Sequence, residues 1–186
     1  MKLRLALVVM VMVTSLTVRA EHIVGGTIGI GLQDFESFDG EELGVSDGIN
    51  TELFYRYMLS EYFGIEAATY AGTGGVLNTL GGVLFDVQDM RYTGVRGSVY
   101  SQVYLSQANK LFAKVGVGQS HLKYKVTNIW NQEPSREVSS HGSDMFVAVG
   151  WGMDFKSGIG VTAEYQYLPI QEMTVNNISI GINYRF

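Results

Sequence analysis

The sequence predicts an all-β fold, an eight-stranded antiparallel up-and-down transmembrane β-barrel. Three observations carry this. Eight segments place large apolar residues at every second position, the period of a two-faced strand. The face opposite the apolar one is built of Gly, Ala and Ser with sparse charges of both signs, which suits a crowded interior and not a water-facing sheet. Beyond residue 20 no run is apolar for about 18 residues, so no helix is available to span a membrane.

Residues 1–20 read as an address. Positions 1–4 are basic, 5–13 (LALVVMVMV) are a nine-residue apolar run, and Val18-Arg19-Ala20 puts small residues at −3 and −1 before Glu21. That is the layout of a cleaved secretory signal. Nine apolar residues fall short of the roughly 20 that a spanning helix needs. The expected division is a signal peptide over 1–20 and an outer-membrane barrel over 21–186.

The strands follow in order. Ile28, Ile30 and Leu32 alternate with Thr27, Gly29 and Gly31. Segments 50–58 and 64–70 come next, then the looser 95–105 and 111–118. In 145–155, Met145, Val147, Val149, Trp151, Met153 and Phe155 alternate with Phe146, Ala148, Gly150, Gly152 and Asp154. Segments 159–167 and 178–186 repeat the pattern, the latter with Ile178, Ile180, Ile182, Tyr184 and Phe186 on one face. Connections at 59–63, 106–110 and 156–158 are short; those at 33–49, 72–94 and 127–143 are long or polar, and 168–174 is intermediate. Short periplasmic turns alternating with longer outside loops match the barrel layout, with both chain ends in the periplasm. Pro134 and Pro169 are both expected in outside loops, where no ladder donor is lost.

Composition narrows the function. The chain is 46% apolar, too much for disorder, and has no cysteine, which excludes a disulfide scaffold, a zinc–thiolate site and a cysteine nucleophile. Without Lys2, Arg4 and Arg19 of the leader, 10 basic residues face 18 acidic ones. A nucleic-acid partner, which needs a basic face, is not expected.

The chain ends Ile182-Asn183-Tyr184-Arg185-Phe186, which resembles the C-terminal signal by which outer-membrane barrels are recognised for insertion. Together with Leu53-Phe54-Tyr55-Arg56-Tyr57, Glu61-Tyr62-Phe63-Gly64-Ile65-Glu66-Ala67, Phe112-Ala113-Lys114-Val115-Gly116-Val117-Gly118 and Ala163-Glu164-Tyr165-Gln166-Tyr167, it is similar to the small eight-stranded outer-membrane proteins of the OmpA/OmpX/Ail-like family. The resemblance covers the whole of 21–186. It implies location in the outer membrane, insertion by the barrel-assembly machinery with Ile182, Tyr184 and Phe186 as the signal, and contact with outer-membrane lipid and lipopolysaccharide. It also implies a non-enzymatic surface role in which the loops mediate adhesion or host and envelope interactions, with a host-cell or matrix ligand as partner. A narrow ion or small-solute channel is the alternative, and a lipid A-modifying enzyme a further one. No cofactor or metal is expected.

Individual residues are weighed against plainer roles. Glu52, Arg56, Glu66, Lys114, Asp154, Glu164 and Arg185 share the inward face by parity. A gate or proton path is conceivable, but a salt-bridge ladder filling an eight-stranded lumen is the expected reading. Arg56 is expected to pair with Glu52 or Glu66, and Lys114 with Glu164. Asp34, Glu36, Asp39, Glu41, Glu42 and Asp47 put six acids in the first outside loop. Phe38 stands where an EF-hand needs an oxygen ligand, so solvated loop acids are expected there. Phe35 and Phe38 are candidate loop contacts, as partner anchors or as side chains dipping into the lipid interface. Trp130 is a binding anchor or an interfacial girdle residue. The paired glycines lack the third glycine of a dinucleotide fingerprint and are read as small inward residues. His22, His121 and His141 stand isolated, with no second histidine at ligand spacing. Ser120 and His121 point to opposite faces of a strand, and Ser139-Ser140-His141 falls in the third outside loop near Asp144.

Overall fold

The computed structural model describes residues 21–35, 46–74, 87–126, 136–170 and 173–186. They form eight strands: β1 (Glu21–Phe35), β2 (Ser46–Met58), β3 (Phe63–Gly74), β4 (Val87–Tyr104), β5 (Asn109–Val126), β6 (Arg136–Asp154), β7 (Ile159–Ile170) and β8 (Met173–Arg185). Each strand pairs antiparallel with the next, and β1 pairs with β8 to close the barrel. Closure matters because a strand edge left open in hydrocarbon would strand its N–H and C=O groups. Residues 1–20 lie outside the described residues.

Period two sorts the side chains. In β3, Gly64, Glu66, Ala68, Tyr70 and Gly72 are buried, while Phe63, Ile65, Ala67, Thr69 and Ala71 are exposed. Around the wall, Ile28, Leu53, Val95, Val99, Val115, Val117, Val149, Ile178, Ile180 and Ile182 all face outward. A continuous apolar surface of this kind is an aggregation hazard in water and a favourable fit in lipid. Outward Tyr55, Tyr62, Phe63, Tyr104, Phe155, Tyr184 and Phe186 ring the end that carries the short turns, where amphipathic aromatics suit the lipid–water boundary.

Those turns have local causes. Ser60 Oγ accepts from Tyr62 N at 3.2 Å and Phe63 N at 3.1 Å, and Ser106 Oγ accepts from Asn109 N at 3.1 Å. Gly158 sits at φ +87°, in the left-handed region that an L side chain rarely adopts, and a Cβ there would also crowd the Arg185 carbonyl.

Two apolar clusters fill the lumen. Ile23, Phe54, Met58, Ala68, Tyr100 and Phe112 pack toward the short turns. Tyr70, Tyr92, Leu122, Phe146, Ala148, Leu168, Ile170 and Val175 pack toward the opposite end. Gly72 is required in this second cluster, because a Cβ there would enter the Tyr92 ring.

The strands run further out than their apolar alternation indicates. β1 continues to Phe35, β2 begins at Ser46, β4 at Val87 and β6 at Arg136, and β5 continues to Val126, all inside spans expected as loops or beyond the expected strand ends. β4, β5 and β6 have 18, 18 and 19 residues, where a bilayer crossing takes about 9–11. The excess projects beyond the apolar belt. There the outward residues are Arg91 and Thr93, Gln119, His121 and Lys123, and Ser139, His141 and Ser143. With water on the outside the apolar face ends, and the pattern that marks a strand ends with it. Pro169 is likewise not in a loop. It lies in β7 opposite Thr174, beyond the last β6–β7 pair at Val147↔Tyr167, so no β6 residue stands in register with it.

Candidate functional site

A layer of charge lies between the two apolar clusters. Parity puts Glu52 and Arg56 of β2, Glu66 of β3, Lys114 of β5 and Glu164 of β7 inside, and the structure adds Arg96 of β4; all six are 5% exposed or less. Three carboxylates face three cations, so the layer is neutral. Arg56 holds Glu66 Oε2 through Nε at 2.9 Å and Nη2 at 2.5 Å. Arg96 pairs with Glu52. Lys114 Nζ is the hub, 2.9 Å from Glu164, 3.1 Å from Glu66 and 3.9 Å from Glu52. Glu164 also accepts from Gln166 and, at 3.4 Å, from Ser179.

Aromatic rings cap this layer on both sides. The Arg56 guanidinium lies 3.5 Å over the Tyr100 ring, and that of Arg96 lies 3.5 Å over the Phe146 ring. A planar cation is stabilised over a π face, and here each contact ties the charges to one apolar cluster. The arrangement does structural chemistry: among the described residues every buried charge has an opposite partner within reach, which is the condition for leaving charges out of water.

Of the expected pairs, Arg56 meets Glu66 and Lys114 meets Glu164; Glu52 turns instead to Arg96. Arg96 was legible by parity with Ser98 and Tyr100, but large inward side chains in β4 blur the small-residue face. Asp154 and Arg185 do not join the layer. Asp154 pairs with Lys110 at 2.7 Å near the short turns, and Lys110 is a buried strand residue rather than a turn residue. Arg185 lies at the rim, 3.5 Å from Glu21, and both are partly exposed. These two line a polar hollow of about 550 Å³ with Ser60, Glu61, Gln102 and Tyr104.

Ile182, Tyr184 and Phe186 project outward along the β1–β8 seam. Phe186 exchanges backbone hydrogen bonds with His22, and its ring stacks on those of His22 and Tyr184 at 5.7 and 6.3 Å. Deleting Phe186 is expected to lower the amount of folded barrel in cells, measured as heat-modifiable protein in isolated outer membranes; an unchanged amount would count against the C-terminal signal that the resemblance implies. Phe38 and Trp130 lie outside the described residues, and Phe35 ends β1 opposite Met173.

The histidines depart from their isolated reading. His121 and His141 stand opposite each other across β5 and β6, with ring centroids 3.9 Å apart. Partial loss of solvent, the His141 ring and the Lys123 ammonium hold the His121 imidazole below its ordinary pKa. Ser139, Ser140 and His141 belong to β6 and not to a loop. Ser139 and His141 face outward, whereas Asp144 accepts from Ser120 Oγ at 2.7 Å on the inner wall. A hydroxyl, an imidazole and that carboxylate therefore do not line up as a nucleophilic triad.

A closed barrel with an apolar outside, an ion-paired inside and short turns gathered at one end is an integral outer-membrane barrel. The chain belongs to the outer membrane protein beta-barrel domain family, whose profile matches residues 3–186. Among solved structures it is similar to Ail of Yersinia pestis, with 20% identity and a TM-score of 0.58 over 91% of this chain and 100% of that one. It is also similar to the Neisserial surface protein NspA, with 10% identity and a TM-score of 0.67 over 89% and 97%. OprG of Pseudomonas aeruginosa follows, with 11% identity and a TM-score of 0.55 over 90% and 96%. No curated protein matches the chain. The protein resides in the outer membrane.

Proposed function

We propose that this is a non-enzymatic surface protein whose outward-projecting sheet and loops mediate adhesion or host and envelope contacts. The observation that carries the reading is the projection of β4, β5 and β6 beyond the lipid belt. The β6–β7 register covers Val147–Asp154 only, so the outer part of β6, among the described residues, has no β7 ladder beside it. A sheet standing clear of the membrane is a rigid mount for loops, and a strand edge of this kind can accept an extended segment. The filled lumen supports surface contact over conduction, since six paired charges would have to separate to open a path. Ail, of the same fold, has been crystallised with the heparin analogue sucrose octasulfate, a precedent for ligand contact on such a barrel. Just above the belt, outward Arg91 and Lys123 are suited to the anionic headgroups of lipopolysaccharide. The C-terminal residues supply the contact with the barrel-assembly machinery.

The test is expression in a non-adherent host, counting cells retained on epithelial layers and matrix proteins. Expected is retention that falls when residues 36–45, 75–86 and 127–135 are shortened. No retention, with folded protein at the surface, overturns adhesion. Stable single-channel steps in planar bilayers would favour the conducting alternative.

A further inference from the structure

We infer that His121 and His141 form a transition-metal site on the outer wall of the barrel, for Zn(II), Ni(II) or Cu(II). The inference is independent of whether the loops bind a partner. β5 and β6 are paired without a break on both sides of His121↔His141, so the two Cα positions are fixed by the sheet. Both side chains face outward above the apolar belt, and the rings already touch, at 3.9 Å between centroids. A metal bound at about 2.0–2.1 Å to each nitrogen in tetrahedral geometry needs the two nitrogens roughly 3.4 Å apart. Touching rings reach that spacing by side-chain rotation, with no backbone movement. Imidazole suits Zn, Cu and Ni, and two histidines directly opposite on neighbouring strands present the pair needed for a chelate.

The surroundings set the character of the site. Ser139 Oγ lies 3.2 Å from His121 Nε2 and steadies that ring. A shallow hollow of about 330 Å³, lined by Thr69, Thr93, Gln119 and both histidines, leaves room for the metal's remaining ligands. Two protein ligands are fewer than the three of a catalytic zinc centre, and among the described residues no group of three His, Cys, Asp or Glu gathers to hold a metal. The site is therefore open, filled out by water or an outside donor. Lys123 shares the outward face two residues on, and Arg91 stands opposite Lys123, so the local charge weakens a bare dication and favours an anionic co-ligand.

The test uses the barrel folded in detergent micelles and titrated at neutral pH with zinc, nickel or copper chloride by calorimetry. One saturable equivalent is expected. His121→Gln and His141→Gln each remove a ligand and should weaken it by at least the factor of about ten that losing an outer-shell partner costs, while His22→Gln leaves it unchanged. Substitutions on this exposed wall leave the fold in place, which heat-modifiable gel mobility checks. Copper(II) broadening of the His121 and His141 imidazole signals in the unmodified protein gives a reading that needs no variant. The inference is overturned by absence of saturable binding, by binding that survives the double substitution, or by broadening confined to other residues.

Discussion

Lys114→Met is expected to destabilise the barrel by about 3–5 kcal/mol, the cost of leaving buried charge without its partner. Methionine is one atom shorter but keeps most of the volume of the stem that lies beside Phe54 and Phe112, so the loss is mainly electrostatic. Lys114 Nζ serves Glu164, Glu66 and Glu52 together. Without it, among the described residues, Glu164 keeps only neutral donors, Gln166 and Ser179. Arg56 and Arg96 still hold the other two carboxylates, so the damage concentrates on Glu164. The double variant Lys114→Met with Glu164→Gln removes one charge of each sign and should recover most of the loss, because replacing a buried pair by neutral groups is often near neutral. Urea-driven unfolding in lipid vesicles, followed by gel mobility, reads both. A single variant within about 1 kcal/mol of the parent, or a double variant no better than the single, would show that the layer is not what holds the interior together.

How much of this could be read from the chain depends on where lipid touches it. Met145–Phe155 and Ile178–Phe186 announce themselves because lipid demands an apolar residue at each outward position while the lumen demands something smaller or polar. The outer halves of β4, β5 and β6 carry no such demand. Residues such as Thr93, Gln119 and Ser143 face water outside, so their strands look like loop. Parity finds the inward charges one strand at a time, since it needs no neighbour. Pairing needs register, which is why Glu52 could be placed inside but not assigned to Arg96 44 residues away. The same limit hid the histidine pair: a slip of one residue between β5 and β6 would turn one ring inward and leave the other outside.

Ile180→Arg tests the other side of the wall, and the expected cost is roughly 2–4 kcal/mol. Ile180 is 65% exposed and lies opposite Ile28 on β1 and Ala163 on β7, with Ile178 and Ile182 on the same outward face. No outward carboxylate adjoins it in the register, and Glu164, one residue from Ala163, points inward to Lys114. An arginine here can only bend toward an interface or draw water into the belt, and both cost energy. Val149→Arg on β6 should behave alike, whereas Ser143→Arg, six residues outward on the same face, should cost near zero. At about 3.3 Å per residue the two β6 sites are roughly 20 Å apart along the strand, enough to cross from hydrocarbon to water. The gradient is the discriminating result. If the protein's apolar belt faced water, all three arginines would be tolerated, and any benefit would come from solubility. If the belt lies in lipid, vesicle refolding midpoints fall at Ile180 and Val149 and hold at Ser143, and the position where the penalty vanishes marks how far β4, β5 and β6 stand clear of the membrane.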